Sequence, residues 1–179
     1  MRGLRLDEVW WLVSPQNPLK PLAGMAAQAD RVAAATALAC HPRLRVTGLE
    51  ARLGTRYTAD TLRLVFERFP AGRFVWLMGA DNLRQIPLWD RWVNVFKSVA
   101  VAVFDRSPYS YRALAGKAAV RFGGWRVPSR RAAAVVERMP PAWVYLHMRR
   151  HPASASAIRR SLAGQDGAPP EQAGKAGGP

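Results

Sequence analysis

Short apolar runs alternate with longer helical stretches along this chain, and this alternation limits its fold more than any other feature. The predicted strands are residues 9–13, 44–47, 73–78, 99–104 and 142–146. The predicted helices are residues 25–40, which are rich in Ala, residues 58–69, and a weaker stretch at 111–122. Strands separated by helices favour a mostly parallel sheet with helices on both faces. We therefore expect an α/β fold, built in three layers.

The length and composition predict a single domain. The chain has 179 residues, 49% of them hydrophobic, which is enough for one ordinary core. We expect this domain to span residues 1–164, because residues 165–179 are dominated by Gly, Pro, Ala and Gln and favour a disordered tail. Cys40 is the single cysteine, which excludes an internal disulfide framework and favours a reducing compartment. Since no targeting segment or membrane span is recognisable, we expect a cytoplasmic protein.

The chain is strongly basic, with 27 Lys and Arg against 12 Asp and Glu and a formal charge of +15. Such an excess favours polyanionic partners, among them nucleotides, RNA and acidic membrane surfaces. It is equally the sign of an Arg-rich composition with a solvated surface, because the arginines are scattered from Arg2 to Arg160 without a dense run. Nucleic-acid footprints tend to form a stripe or a face. Neither a nucleic acid nor a membrane is therefore the predicted partner.

The amino end does not look like the opening of an α/β sheet. Such a sheet normally begins with a strand whose following turn and helix bind phosphate. Here residues 1–6 resemble the last turn of a helix that runs into the strand at residues 9–13. We therefore expect a first strand, its phosphate-binding turn and most of a helix, roughly two dozen residues at average lengths, to be missing. The strand at residues 9–13 would then be the second of the sheet.

Two segments place polar groups where a strand or a loop meets a ligand crevice. Residues 13–20 follow a strand and end in Lys20, at the sheet edge where α/β folds bind ligands. The alternative is a Pro-rich loop in which Asn17 serves a turn. Residues 54–62 place Thr58 at a helix start, where free backbone N–H groups suit a carboxylate or a phosphate. The alternative is a helix that Thr58 merely caps.

Two further segments carry groups that suit a nucleotide. Residues 74–83 contain an apolar strand that ends in Gly79 and is followed by Asp81 and, further on, by Trp89. The carboxylate of Asp81 could accept hydrogen bonds from a ribose, and the indole of Trp89 could stack on an aromatic ring. The alternative makes Asp81 a helix cap and Trp89 a core residue. Residues 154–159 place Ser154, Ser156 and Arg159 at a helix start, which suits a triphosphate, or they form a Ser-capped surface helix.

Taken in order, these segments resemble the bacterial nicotinate-nucleotide adenylyltransferases, from residue 6 to about residue 162. The matching stretches are Ser-Pro-Gln-Asn-Pro-Leu-Lys at 14–20, Tyr-Thr-Ala-Asp-Thr-Leu at 57–62, Met-Gly-Ala-Asp-Asn-Leu at 78–83 with Trp89, Asp-Arg-Ser-Pro-Tyr at 105–109, and residues 154–159. Five matches in sequence order are difficult to obtain by chance. The resemblance carries the family assignment.

The resemblance implies a Rossmann-like nucleotidyltransferase fold that transfers AMP from ATP to nicotinate mononucleotide, giving deamido-NAD and pyrophosphate, with Mg²⁺ accompanying the ATP. By this resemblance Thr58, the backbone at Ala59 and a stacking Trp89 hold the nicotinate ring, Asp81 the ribose, and Arg106 the mononucleotide phosphate. The ATP phosphates would be bound by Lys20, Ser154, Ser156 and Arg159. No metal ligand is predicted in the protein.

The chain departs from the family in two places. The family's Gly-rich turn, with its Phe-x-Pro and His-x-Gly-His element, has no counterpart, and the histidines present are His41, His147 and His151. We therefore assign no catalytic residue and expect the chain as written to be nearly inactive. We also expect it to be poorly stable, because the missing strand leaves its neighbour's edge and apolar face exposed. The carboxyl-terminal motif has Ala155 and Ser156 where a second Ser or Ala and a Thr are commoner, which keeps a hydroxyl at the second position.

Three other interpretations remain open. The first is a remnant of the family that binds the mononucleotide but no longer transfers AMP, and the missing motif is what would separate it from the active enzyme. The second is a basic RNA-binding protein, which rests on the charge alone. The third is a related transferase acting on pantetheine phosphate, although residues Thr58, Ala59 and Trp89 suit a pyridine ring better.

Overall fold

The computed structural model describes residues 2–15, 26–105 and 110–147. The strands are β1 (Val9–Leu12), β2 (Leu44–Thr47), β3 (Val75–Gly79), β4 (Ala100–Phe104), β5 (Arg126–Val127) and β6 (Trp143–Leu146). The helices are α1 (Gln28–Leu38), α2 (Leu49–Leu53), α3 (Thr58–Arg68), α4 (Ala80–Gln85), α5 (Trp92–Ser98), α6 (Ser110–Leu114) and α7 (Lys117–Arg121). Short 3-10 helices lie at Arg2–Leu4, Ile86–Leu88, Gly123–Trp125 and Ser129–Glu137.

The strand pairs found among the described residues are all parallel. One sheet has the order β3-β4-β6-β5, and β1 pairs with β2 in a second, two-stranded sheet. In the larger sheet Trp76 lies opposite Val101, and Val101 lies opposite Trp143. The predicted α/β class and the parallel strands are confirmed. The sheet is divided in two, however, and the division falls between β1 and β3.

Strand β4 lies inside the larger sheet, between β3 and β6, and apolar residues cover both faces of the strand. Its larger side chains, Val101 and Val103, join one apolar cluster with residues of α4, α5 and α7. Its smaller ones, Ala100 and Ala102, join a second cluster on the opposite face with Leu4 and the 3-10 helix Ser129–Glu137. The sequence of a strand that is buried on both faces is continuously apolar. For this reason the strand Ala100–Phe104 is easily predicted from the sequence.

The predicted strands are present with ends shifted by at most two residues, whereas the predicted helix at 111–122 is not continuous. It is broken into α6 and α7 at Gly116, which adopts an extended backbone (φ −75°, ψ 161°) as the residue before α7. Its N–H bonds to the carbonyl of Ala113, so the first helix ends there. Residues 2–4, expected to be the end of a helix, form a 3-10 turn.

Two sequence predictions meet the limits of the described residues. The domain end at residue 164 and the tail at 165–179 both lie outside them and stay predictions. Within the part of the chain that the structure describes, no helix is long and apolar enough to cross a membrane.

Candidate active site

The loop after β1 is held in place by two side chains of α1. The guanidinium of Arg31 donates to the carbonyls of Ser14 and Pro15, each at 2.7 Å. The amide of Gln28 donates to the carbonyl of Val13 at 2.8 Å. These bonds satisfy carbonyls that have left the sheet, so the backbone is fixed as far as Pro15. The segment that follows, with the predicted phosphate ligand Lys20, lies outside the described residues.

A network of side-chain hydrogen bonds shapes the connection from β2 to α3. The Ser14 hydroxyl donates to the carboxyl group of Glu50, which is buried. Helix α2 ends at Gly54, whose positive φ of 64° suits a residue without a side chain. The hydroxyls of Thr55 and Thr61, both buried, lie 2.8 Å apart. The loop after β1 is therefore tied to α2 through Glu50, and α3 is tied to the residue after Gly54 through Thr61.

The amino end of α3 presents two backbone donors. The residue that caps α3 is Tyr57, with extended backbone and no side-chain cap bond, so Thr58 is the first helical residue and does not cap the helix. The N–H groups of Asp60 and Thr61 bond back to the Tyr57 carbonyl at 3.0 and 3.1 Å. The N–H groups of Thr58 and Ala59 precede them and point out of the helix end. Such an end attracts an anion.

An ion pair ties this helix end to the segment that carries Trp89. Arg91 donates to both carboxylate oxygens of Asp60, at 2.9 and 2.6 Å. Asp60 comes two residues after Thr58, and Arg91 comes two residues after Trp89. The hydrogen bonds from Arg91 hold the pKa of the Asp60 carboxyl below its usual range, and contacts with Asp60 and Asp90 raise the pKa of the Arg91 guanidinium. The two predicted ring-binding elements are therefore neighbours.

Trp89 lies at the end of the 3-10 helix Ile86–Leu88. The backbone N–H of Trp89 donates to the carbonyl of Ile86 at 2.9 Å. This bond closes a turn before α5. The indole is half-buried and packs against the larger apolar cluster. Part of the ring therefore belongs to the core and part faces outwards. The two interpretations made from the sequence, ring stacking and core packing, do not exclude each other.

Asp81 lies on the first turn of α4, directly after β3. The residue that caps this helix is Gly79, with no side-chain cap bond, so the alternative that Asp81 is the cap is wrong. Its side chain is half-buried. Asp81 therefore lies at the carboxyl end of a parallel strand, the edge at which such sheets bind ligands, and its contact with a ribose stays a prediction.

A second acidic position, next to the end of β4, was not singled out from the sequence. The Asp105 side chain is 7% exposed, and the Tyr145 hydroxyl donates to it at 3.2 Å. The Nδ1 atom of His147 lies 3.9 Å from the other carboxylate oxygen. Because β4 and β6 are adjacent and parallel, their ends bring these three side chains together at the same sheet edge as Asp81.

The structure therefore describes four of the nine predicted site residues and leaves five outside it. Thr58, Ala59, Asp81 and Trp89 lie on loops and helix ends at the carboxyl edges of the strands. The other five lie outside the described residues and are Lys20, Arg106, Ser154, Ser156 and Arg159. Among the described residues no group of three His, Cys, Asp or Glu side chains could hold a metal ion.

Neither the ion pair of Arg91 nor the cluster around Asp105 was predicted from the sequence. Arg91 has a positive φ of 47°, uncommon for a residue with a side chain, and its partner Asp60 is distant in the sequence. Asp105 is the first residue of one of the stretches that match the family. The proximity of His147 to Asp105 can be recognised only when β6 is known to pair with β4. Both features depend on which strands and loops are neighbours.

Comparison with known proteins gives one family throughout. Residues 4–161 match the family described as cytidylyltransferase-like. The chain is 47% identical over 146 residues to a probable nicotinate-nucleotide adenylyltransferase of Bradyrhizobium, covering 82% of this chain and 76% of the relative. It is 46% identical over 159 residues to the corresponding protein of Methylorubrum extorquens, covering 89% and 86%, and 47% identical over 159 residues to that of Cereibacter sphaeroides, covering 89% and 84%.

A solved structure supports the same fold. It is the Plasmodium falciparum nicotinic acid mononucleotide adenylyltransferase in complex with APC, which aligns with a TM-score of 0.58 at 14% identity. The alignment covers 89% of this chain and 72% of the other. At this identity the likeness concerns the arrangement of strands and helices, which is that of a Rossmann-like nucleotidyltransferase.

Proposed function

The chain belongs to the nicotinate-nucleotide adenylyltransferases, within the cytidylyltransferase-like family, and we propose that it transfers AMP from ATP to nicotinate mononucleotide. The products are deamido-NAD and pyrophosphate. The phosphate oxygen of the mononucleotide attacks the α-phosphorus of ATP, and the bond from that phosphorus to the pyrophosphate oxygen breaks. Because the nucleophile is already an anion, the reaction needs no strong base.

The observation that carries this proposal is the pairing of α3 with the Trp89 segment. The N–H groups of Thr58 and Ala59 suit a carboxylate, because both of its oxygens accept hydrogen bonds and the helix end favours its charge. The exposed part of Trp89 offers a surface on which a pyridine ring can stack. The bidentate Asp60–Arg91 pair holds these two elements together. A flat ring that bears a carboxylate fits both.

The remaining substrate groups are assigned by resemblance alone. Asp81, at the end of β3, would accept hydrogen bonds from the ribose, and Arg106 would bind the mononucleotide phosphate. Lys20, Ser154, Ser156 and Arg159 would surround the ATP phosphates, which cations and helix ends neutralise. Mg²⁺ would arrive with ATP, since this ion is commonly held by substrate phosphates, waters and one or two carboxylates rather than by a protein cage.

A second candidate function is binding of the mononucleotide without transfer. The division of the sheet between β1 and β3 favours it, because the crevice at the strand ends is interrupted there. Alignment of two anionic reactants depends on a continuous, rigid crevice. The proposed ring-binding elements at α3 and Trp89 are joined to each other by the Asp60–Arg91 pair, so binding can persist where transfer is lost.

The test is to incubate the purified 179-residue chain with ATP, Mg²⁺ and nicotinate mononucleotide and to quantify deamido-NAD and pyrophosphate. We expect both products in equal amounts, above the protein-free background and at a low rate. Calorimetric titration with nicotinate mononucleotide alone separates the candidates. Binding without product would favour the second function, and neither binding nor product would reject both.

A further inference from the structure

A buried carboxylate at the carboxyl edge of the larger sheet has no part in the reaction proposed for the chain. Asp105 follows β4 directly, and its backbone N–H donates to the carbonyl of Leu146 at 2.9 Å. Its side chain is 7% exposed. An ionised group is costly to bury unless it is paired or hydrogen-bonded, so the neighbours of Asp105 indicate what this carboxylate does at the sheet edge.

Each carboxylate oxygen of Asp105 faces a side chain at the end of the neighbouring strand β6. The Tyr145 hydroxyl donates to Oδ1 at 3.2 Å. The Nδ1 atom of His147 lies 3.9 Å from Oδ2, which is within the range of an ion pair and longer than a hydrogen bond. The rings of Tyr145 and His147 are in edge-to-face contact, with centroids 5.1 Å apart. The imidazole is therefore confined on two sides.

The remaining side of the His147 ring is open. Its side chain is 65% exposed, whereas the carboxylate that it faces is buried. The two nitrogens of an imidazole lie on opposite sides of the ring, so Nε2 is directed away from Asp105 when Nδ1 faces it. A protonated imidazole has two N–H donors. In that form Nδ1–H is directed at Asp105, and Nε2–H is available to a ligand.

His147 lies along the same sheet edge as the carboxylate that we propose to bind the ribose. Strands β3, β4 and β6 are adjacent and parallel, so Asp81, Asp105 and His147 follow one another along their carboxyl ends. Neighbouring strands are about 4.8 Å apart, which places the end of β6 about 10 Å from the end of β3. A mononucleotide carries its phosphate on the 5′ carbon of the ribose. With the ribose at Asp81, the phosphate is within reach of the ends of β4 and β6.

The charged groups around the imidazole favour an anion on its open side. From β4 it faces Asp105, which is buried and has the Tyr145 hydroxyl at its other oxygen. From β5 the guanidinium of Arg126 lies 5.7 Å from the centre of the Tyr145 ring. The described residues 110–147 carry Glu137 as their one acid, against the cations Arg112, Lys117, Arg121, Arg126, Arg130, Arg131 and Arg138. A surface of this sign attracts phosphate.

We propose that Nε2 of His147 donates a hydrogen bond to a nucleotide phosphate, and that Asp105 is the positioning residue that orients the imidazole for it. This role rests on the proposed function and adds a phosphate ligand to the one assigned by resemblance, Arg106, which follows Asp105 in the chain. The phosphate belongs to the mononucleotide or to ATP, since both approach this edge. A bond from an imidazolium to a phosphate is charge-assisted and roughly twice as strong as a neutral one.

The test compares each nucleotide with its nucleoside, which lacks the phosphate, on the full chain. Calorimetry gives dissociation constants for nicotinate mononucleotide and nicotinate riboside, and for ATP and adenosine, with the parent and with His147→Gln. We expect His147→Gln to weaken one nucleotide about tenfold, the effect of losing one charge-assisted hydrogen bond, and to leave its nucleoside unchanged. The nucleotide that is weakened identifies the phosphate. Equal weakening of nucleotide and nucleoside would assign His147 a structural role and overturn the proposal.

Two further variants test the positioning role of Asp105. Asp105→Asn keeps the shape of the side chain and removes its charge, so it should weaken the same nucleotide as His147→Gln and spare the nucleoside. The matched control is His41→Gln, because His41 is exposed and lies shortly before β2, at the amino end of that strand. It should change neither constant. Thermal unfolding of the three variants is measured first, and an effect of His41→Gln equal to that of His147→Gln would overturn the proposal.

A second measurement separates the role of His147 from the transfer reaction. Inorganic phosphate is titrated into the chain at constant pH and ionic strength, and the imidazole Cε1–H signals are followed by NMR. The His147 signal is identified by its loss in His147→Gln. We expect this signal to shift, that of His41 to stay, and Asp105→Asn to reduce the shift. A shift without any binding of mononucleotide or ATP would reject the proposed function alone. No shift of the His147 signal would overturn the role of His147 alone.

Discussion

Arg91 binds both carboxylate oxygens of Asp60, at 2.9 and 2.6 Å, and so joins the amino end of α3 to the segment that carries Trp89. The pair is partly exposed, with side chains 47% and 29% accessible. Surface pairs of this kind contribute roughly 0–1 kcal/mol to stability. Its importance is therefore geometric, because it fixes the distance between two elements that we propose to hold one substrate ring.

Replacing Arg91 by Lys should weaken mononucleotide binding with little effect on folding. Lysine keeps the charge but cannot bind the carboxylate with two parallel N–H groups. We expect the dissociation constant for nicotinate mononucleotide, measured by calorimetry, to rise about tenfold. This is the effect of losing about one charged hydrogen bond. The control is Arg63→Lys, which alters the exposed Arg63–Glu67 pair on the same helix. Equal weakening by both variants would contradict this role of Arg91.

The same pair predicts a pH dependence of stability. Arg91 holds the pKa of Asp60 below its ordinary range. A carboxyl whose pKa is lowered by folding stabilises the protein above its unfolded pKa and loses that contribution as the pH falls through the folded one. Asp60→Asn should therefore be slightly less stable than the parent at pH 7, by less than about 1 kcal/mol, and the difference should vanish in acid. Urea unfolding of the variant and the parent, at pH 7 and in acid, measures this difference in stability. A difference that is the same in both conditions would disprove the link between Asp60 and Arg91.

Trp89 should contribute to binding and to stability separately. Trp89→Ala removes both the stacking surface and the part of the ring packed in the core. We expect it to weaken the binding of nicotinate and nicotinamide mononucleotides alike, because stacking does not distinguish acid from amide. We also expect it to lower the free energy of unfolding by about 1–3 kcal/mol, less than for a fully buried Trp. Trp89→Phe should restore most of the stability and part of the affinity. A change in the acid-to-amide ratio larger than the change in affinity would show that the ring orients the substrate.

Some elements were predicted from the sequence because their local apolar pattern is clear. Strand β4 is covered on both faces, so its apolar run is unbroken and its limits are correct to within a residue. Helix α3 was predicted at 58–69 because its apolar residues recur with helical spacing, and it spans Thr58–Arg68. Local pattern carries this information, because each of these elements packs along its whole length.

The features that could not be predicted arise from contacts between distant segments. Arg31 reaches the carbonyls after β1, and Glu50 is buried against Ser14, although both residues look like ordinary surface charges in the sequence. The break at Gly116 was invisible because the flanking residues favour helix. Asp81 and Trp89 were singled out from the sequence and their roles stay predictions, whereas the Asp60–Arg91 pair becomes visible only in the fold.

Proline at residue 58 provides a test of the backbone donors. Tyr57 has φ −113° and ψ 138°, the conformation that a residue before proline prefers, and Thr58 is the first helical residue. Thr58→Pro should therefore keep α3 while removing one N–H group. We expect it to reduce the preference for the acid over the amide roughly tenfold. Thr58→Val, which keeps the N–H and removes the hydroxyl, should leave the preference unchanged, and the reverse pattern would assign the contact to the hydroxyl.

The most direct test of the account is the ratio of dissociation constants for nicotinate mononucleotide and nicotinamide mononucleotide, measured by calorimetry on the 179-residue chain. Binding needs no turnover, so the ratio reports on the helix end of α3 alone. The amide turns one acceptor into a donor that faces an N–H group, and it loses the attraction to the helix end. We predict that the acid binds about ten- to a hundredfold more tightly, from one charge-assisted hydrogen bond of roughly 1.5–3 kcal/mol. Equal affinities, or a preference for the amide, would contradict it.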